Sequence, residues 1–213
     1  MEEVLEAEAG GAGRVELCSE LEVGGVTPSL DLIRSVLAAT SLPVNVLVRP
    51  RGGDFVFSED ETESMLRDID ICKSLGVNGV VIGALDRDGN IDLPLMRRLI
   101  SAARHLKVTF HRAFDECADP SAALEDIISL GCDILLTSGH APSAYEGRAL
   151  ISRLILQAAG RIIIMPGAGI KPANINEISL ATGALQFHGS SHGPAGTTDC
   201  NVVRAITQNV KIL

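Results

Sequence analysis

The sequence predicts an α/β fold, a TIM (β/α)8-type barrel short of its first N-terminal strand, in one domain over residues 1–213. Three observations predict it. Short β-rich runs alternate with amphipathic stretches at the spacing of one βα unit, the pattern of a parallel sheet covered by helices. No Pro/Gly/Ser-rich linker divides the chain, and the units share no repeated signature, which sets a solenoid aside. Polar residues of the strands fall on one face each. A parallel strand between two helix layers should be apolar on both faces, whereas a barrel accepts inward polar side chains near its C-terminal rim. The asymmetry favours the barrel over a doubly wound sheet.

The elements follow in order. Glu2–Ala9 reads as a helix ahead of the first strand. Arg14–Cys18 is a strand with Glu16 and Cys18 on one face by the period of two. A helix near Leu30–Ala39 leads to the strand Val44–Arg49, whose valines share one face while Asn45, Leu47 and Arg49 share the other. A helix over Glu59–Leu75 ends at Gly76 and leads to the strand Gly79–Ala84. Leu93–Ala103 is helical, and the strand Lys107–Ala113 places Thr109 and His111 together. Asp119-Pro120 is an N-cap with proline at the first helical position, opening a helix near Ala122–Leu130. The strand Asp133–Ser138, the helix Ala144–Ala159 and the strand Arg161–Met165 come next. Lys171-Pro172 is read as a similar helix start for Ala173–Ala181. The strand Leu185–Gly189, with Gln186 and His188 on one face, closes the series. Seven strands stand where a complete barrel of about 250 residues has eight. The missing stave would leave two unpaired sheet edges, an association hazard. An oligomer contact or the N-terminal segment is expected to cover the gap.

Composition narrows the function. Aromatics are 3% of the chain, with no Trp and one Tyr, which argues against base-stacking platforms and aromatic sugar clefts. The net charge of −9 and the lack of a Lys/Arg run argue against nucleic acid as a partner. Five scattered cysteines, with no Cys-x-x-Cys, fit neither a disulfide framework nor a zinc knuckle. The acidic start predicts no secretory or mitochondrial leader, and no apolar run approaches the ~20 residues that span a bilayer. A cytoplasmic protein with no membrane partner is expected.

Barrels bind ligands at the C-terminal strand ends. Those ends hold Glu16 and Cys18, then Arg49, Arg51 and Asp54, then His111, Arg112 and Asp115, then Thr137, Ser138 and His140, and finally His188 and Ser190. Arginines clamp carboxylates or phosphates through paired N–H donors, so Arg49, Arg51 and Arg112 read as anion binders, with Ser138 beside them. His111 and His188, with Asp115 and Glu16, are the acid–base candidates. Glu16 could instead pair with Arg49 or Arg112, and either histidine could be a hydrogen-bonded interior residue. The turn Pro166-Gly167-Ala168-Gly169 and the run His188-Gly189-Ser190 occupy the usual barrel phosphate position, where Gly167, Gly169 and Ser190 offer backbone amides. The glycines could equally serve a tight turn. Cys18, the one cysteine at a strand's C-terminal end, is the candidate soft-metal ligand, set against an inert small core residue. Lysine-dependent aldolase chemistry is excluded, because Lys107 begins its strand at the wrong end.

These segments are recognisable together. Arg14-Val15-Glu16-Leu17-Cys18, Val23-Gly24-Gly25-Val26-Thr27-Pro28-Ser29, Val48-Arg49-Pro50-Arg51-Gly52-Gly53-Asp54-Phe55 and Val80-Val81-Ile82-Gly83-Ala84-Leu85 resemble the copper homeostasis protein CutC family. Thr109-Phe110-His111-Arg112-Ala113-Phe114-Asp115, Leu136-Thr137-Ser138-Gly139 and Phe187-His188-Gly189-Ser190 complete the match, from about residue 4 to about 192. The resemblance implies a TIM barrel, a cytoplasmic homo-oligomer and a role in copper handling, with Cu(I) as the proposed cofactor. Three departures stand out. The family's first strand with its Glu-x-Cys element is absent, its Pro-Gly-Gly-Gly turn appears with Ala168, and its Glu before Phe-His-Gly is Gln186. The leading expectation is a Cu(I)-binding CutC-like protein. The alternative is an enzyme or binding protein for a small phosphorylated or carboxylated metabolite. A third is an incomplete barrel that has lost its activity.

Overall fold

The computed structural model describes residues 1–194 and 196–210. Six parallel strands lie in sequence order: β1 (Val15–Leu17), β2 (Val44–Leu47), β3 (Gly79–Ile82), β4 (Lys107–Phe110), β5 (Ile134–Thr137) and β6 (Ile163–Pro166). The helices are α1 (Glu2–Ala9), α2 (Leu30–Ala39), α3 (Glu59–Leu75), α4 (Leu93–Ala102), α5 (Pro120–Ser129), α6 (Arg148–Ala158), α7 (Ile175–Thr182) and α8 (Cys200–Val210). The strands curl into a partial barrel.

Local chemistry sets the helix boundaries. Ser58 accepts from the Glu61 amide while Glu61 reaches back to the Ser58 amide, a reciprocal cap that starts α3. The Asp119 carboxylate accepts from the Ser121 and Ala122 amides, and Pro120 sits where no amide donor is needed. Gly76 and Gly183 end α3 and α7 in the left-handed conformation. Lys171-Pro172 does not start α7. The Asn174 side chain accepts from the Lys171 amide and donates to the Gly169 carbonyl, which holds residues 169–174 as a turn and delays the helix to Ile175.

The two strand faces divide as alternation requires. Val44, Val46, Val48, Val80, Ile82, Val108, Phe110, Leu135 and Ile164 join the main core with the helices. Ile134, Leu136 and Met165 form a separate apolar cluster on the opposite, inward face. Cross-strand pairing carries that layer from Leu47 to Val81, Val81 to Thr109 and Thr109 to Ile134.

The seventh expected strand, Leu185–Gly189, is not formed. The segment runs beside β6, and the His188 amide donates to the Pro166 carbonyl at 2.9 Å, but no ladder develops. A strand needs pairing, and among the described residues no strand flanks it on the other side. Side chains bridge the opening instead. Arg14 donates to Gln186 Oε1 at 2.8 Å and to Met165 Sδ, and Glu16 meets His188.

The helix layer is more complete than the strand layer. The helix α8, unforeseen in the sequence, packs against α7 on one side and α1 on the other. A Cβ on Gly10 would lie 2.4 Å from Val203 Cβ, so the α1–α8 contact needs glycine there. Glu8 then ties the end of α1 to Thr40 and Ser41 just after α2. The N-terminal segment thus stands over the gap, together with α8. No described helix is long and apolar enough to cross a membrane.

Candidate functional site

A cavity of about 2020 Å³ opens at the C-terminal strand ends and extends through the gap toward α1 and α8. Glu16, Cys18, Arg49, His111, Arg112, Asp115, Gly169, His188 and Ser190 all line it, so the strand ends and loops singled out in the sequence do converge. Their chemistry divides them sharply.

Glu16 is the buried anchor. Its carboxylate lies 3.1 Å from His188 Nδ1 and 3.5 Å from Arg14 Nε, with the Glu16 side chain 8% exposed. Burial pushes its carboxyl upward, but the hydrogen bond and charge of His188, together with Arg14, outweigh that and hold it below the usual carboxylate range. These partners replace the Arg49 or Arg112 pairing that the sequence left open. Arg14 is the residue sequence reasoning passed over. Its position two before Glu16 on the same strand face was the available signal.

Arg49 and Arg51 are engaged elsewhere. Arg49 donates to the carbonyls of Val23, Gly25 and Gly53, and its guanidinium stacks 4.6 Å from the Phe55 ring centroid. Arg51 pairs with Glu61 and Asp54 and donates to the Val56 carbonyl. The donors expected to clamp an anion instead pin the loops around residues 23–25 and 51–56. Arg112, about half exposed, donates to Asp115 and Ser138 and still faces the cavity.

Asp115 is a latch. It accepts from the Thr137 and Ser138 hydroxyls and from the Ser138 and His140 amides as well as from Arg112. Burial raises its pKa, and these bonds overcome that and lower it. These bonds take up its acceptor capacity and anchor the β4 and β5 ends. Ser138 is part of the same latch, its single hydroxyl proton within reach of both Asp115 Oδ2 and the Ala141 carbonyl.

His111 departs from the acid–base role as well. The ring is buried against Phe55 and Phe110, and its Nδ1 accepts from the Ala113 amide at 3.1 Å. Burial and then the neighbouring Arg49 charge push its pKa down to about 3. It is a neutral imidazole at physiological pH.

The glycine turn after β6 lies beside the run 188–190. Gly167 donates to the Thr137 carbonyl and is spent. Ala168 and Gly169 both take positive φ, 71° and 73°, so successive amides turn to one side. Among the described residues, the amides of Ala168, Gly169, Ile170, Gly189 and Ser190 have no intramolecular acceptor. The two loops touch: a Cβ on Gly189 would lie 3.6 Å from Ile170 Cβ.

Cys18 brings one thiol to the cavity. Among the described residues no group of three or more His, Cys, Asp or Glu side chains surrounds one point. Burial, then Glu16 and Glu3, push its thiol pKa upward, against the thiolate a soft metal requires.

The fold and site define an incomplete (β/α) barrel with a ligand-sized mouth at its C-terminal strand ends. The comparisons are specific beyond that. The CutC family profile matches residues 1–193, and the chain belongs to the CutC family. A CutC family protein of Parabacteroides distasonis is 56% identical over 188 residues, covering 88% of this chain and 77% of the relative. One from Xylella fastidiosa is 48% identical, covering 98% and 84%. The crystal structure of a Streptococcus agalactiae CutC, named for copper homeostasis, superposes with a TM-score of 0.80 at 34% identity, over 83% of this chain and 88% of that one. A phosphoribosylanthranilate isomerase of Pyrococcus furiosus shares the fold alone, at 14% identity and a TM-score of 0.63 over 100% and 94%.

Proposed function

We propose that the rim binds a small phosphorylated or carboxylated metabolite. The carrying observation is the Glu16–His188 pair at 3.1 Å beside the unpartnered amides of residues 168–170 and 189–190. The amides supply donors for the anionic group. An imidazole oriented by a buried carboxylate can take up or give a proton at its other ring nitrogen, so His188 is the group able to act on the bound molecule. Arg112 faces the same mouth and is held by side chains rather than by loop carbonyls. Thermal-shift titration with sugar phosphates tests the reading. Stabilisation that saturates, and that is weakened in His188→Gln, supports it; a flat response across the panel overturns it.

A role in copper homeostasis is the second reading, which the name of the Streptococcus agalactiae neighbour suggests. One observation supports it here: the Cys18 thiol is partly exposed at the cavity, a single soft donor for Cu(I) as cargo in transit. Cu(I) titration of wild type and Cys18→Ala tests it, and indistinguishable affinities remove it. We place the protein in the cytosol, where five unpaired cysteines persist. We also propose self-association, through exposed apolar residues such as Leu156, Leu180 and Leu185.

A further inference from the structure

We infer that His111 is a fixed neutral hydrogen-bond donor at the floor of the rim, and that the ligand held above it is a polyhydroxylated phosphate whose hydroxyl oxygen accepts from His111 Nε2. The inference rests on the anion reading of the same mouth and deepens it.

The argument is one of accounting. An imidazolium has protons on both ring nitrogens. His111 Nδ1 accepts from the Ala113 amide at 3.1 Å, so it carries no proton and the ring is neutral. The single ring proton is therefore on Nε2. The ring is closely packed on this side. A Cβ on Gly83 would lie 2.6 Å from Nδ1, and Phe55 and Phe110 close the sides at 5.0 and 6.0 Å between centroids.

The Nε2 donor has no acceptor, although the residue is 6% exposed and lines the cavity. Buried donors are almost always satisfied, and one left unmade is costly. Glu16 Oε1 is a second orphan lining this cavity, held only by the 3.5 Å ionic contact to Arg14. Both atoms are buried in residues that line one cavity, and a neutral donor and an ionised acceptor there suit a group that both accepts and donates. A hydroxyl does so. A second anionic group would be repelled by Glu16, and an alkyl chain would leave both orphans unmet. The amides of residues 168–170 and 189–190 meanwhile take the phosphate, which defines the class.

The test compares ribose 5-phosphate with n-pentyl phosphate, which matches it in carbon number and lacks the hydroxyls, using calorimetry on the full chain. Wild type should bind ribose 5-phosphate about tenfold more tightly or better, since a site built around a hydroxyl discriminates strongly against its loss. His111→Phe should bind both phosphates within about threefold of each other. A ¹⁵N-detected histidine spectrum of the wild type gives a readout that needs no variant. His111 should show the Nε2–H tautomer unchanged from pH 5 to 8, and its Nε2–H resonance should move on adding ribose 5-phosphate. An Nδ1–H tautomer, or a ring that titrates in that range, overturns the inference. So does equal affinity of wild type for the two phosphates. An Nε2–H resonance unmoved at saturation means water satisfies the donor, and also overturns it. Failure of both phosphates to bind overturns the anion reading itself.

Discussion

The two sides of the barrel mouth solve one problem by different means. At the β4–β5 side the strands pair through backbone bonds, and Asp115 locks the ends with acceptors fully occupied. At the side between β1 and residues 185–189 no strand pairing exists, and side chains alone span the opening through Arg14–Gln186 and Glu16–His188. The Asp115 latch is satisfied. The open side carries the unmet Arg14 Nε and Glu16 Oε1, and a further unmet group, His111 Nε2, follows β4. The unmet groups of the mouth are thus shared between the open side and the end of β4.

Substitutions should register this difference in size. The largest effect is expected at the latch. Asp115→Ala strips acceptors from two hydroxyls and two amides and should cost roughly 3 kcal/mol of stability, read by denaturant unfolding. Gly147→Ala belongs to the same side. Its Cβ would fall 1.9 Å from the Ser138 carbonyl oxygen, and the backbone must move, at roughly 2 kcal/mol. On the open side Glu16→Gln should cost less stability, about 1 kcal/mol, because its partner His188 is only partly buried, while reducing ligand binding much more than either latch variant does per unit of lost stability. A Glu16→Gln protein with wild-type binding would erase the contrast.

The pH response sharpens the comparison. His111 titrates at 6.5 when unfolded and near 3 when folded, so between those values the unfolded chain holds the extra proton. Stability is full above about pH 6.5 and declines as pH falls toward 3, by at most ~1.4 kcal/mol per pH unit. Glu16 and Asp115, with lowered folded values, add losses only below the ordinary carboxylate range. His111→Gln should therefore flatten the stability profile between pH 6.5 and 5, measured as unfolding midpoint against pH, while leaving the steeper acidic limb.

Much of this was legible in the residues. Leu30–Ala39 and Glu59–Leu75 are α2 and α3 as the caps and periodicity draw them. The inward set Glu16, Leu47, Arg49, Thr109 and His111 follows from alternation alone. What the pattern could not show was occupancy. Arg49 reaches the rim, but loop carbonyls take its terminal N–H donors, while Arg51 is held by carboxylates and carbonyls near it in sequence, and no period in the sequence encodes that. Nor does a β-rich run reveal whether a partner strand exists. Residues 185–189 have strand character and stay unpaired beside a missing neighbour. The helix α8 was missed because the family motifs stop before it.

The most direct measurement is a crystal structure with ribose 5-phosphate bound. The account predicts the phosphate on the amides of residues 168–170 and 189–190, with a hydroxyl within hydrogen-bond distance of His111 Nε2 and the Glu16–His188 pair intact. A phosphate seated on Arg49 and Arg51, with those amides left to solvent, would contradict it.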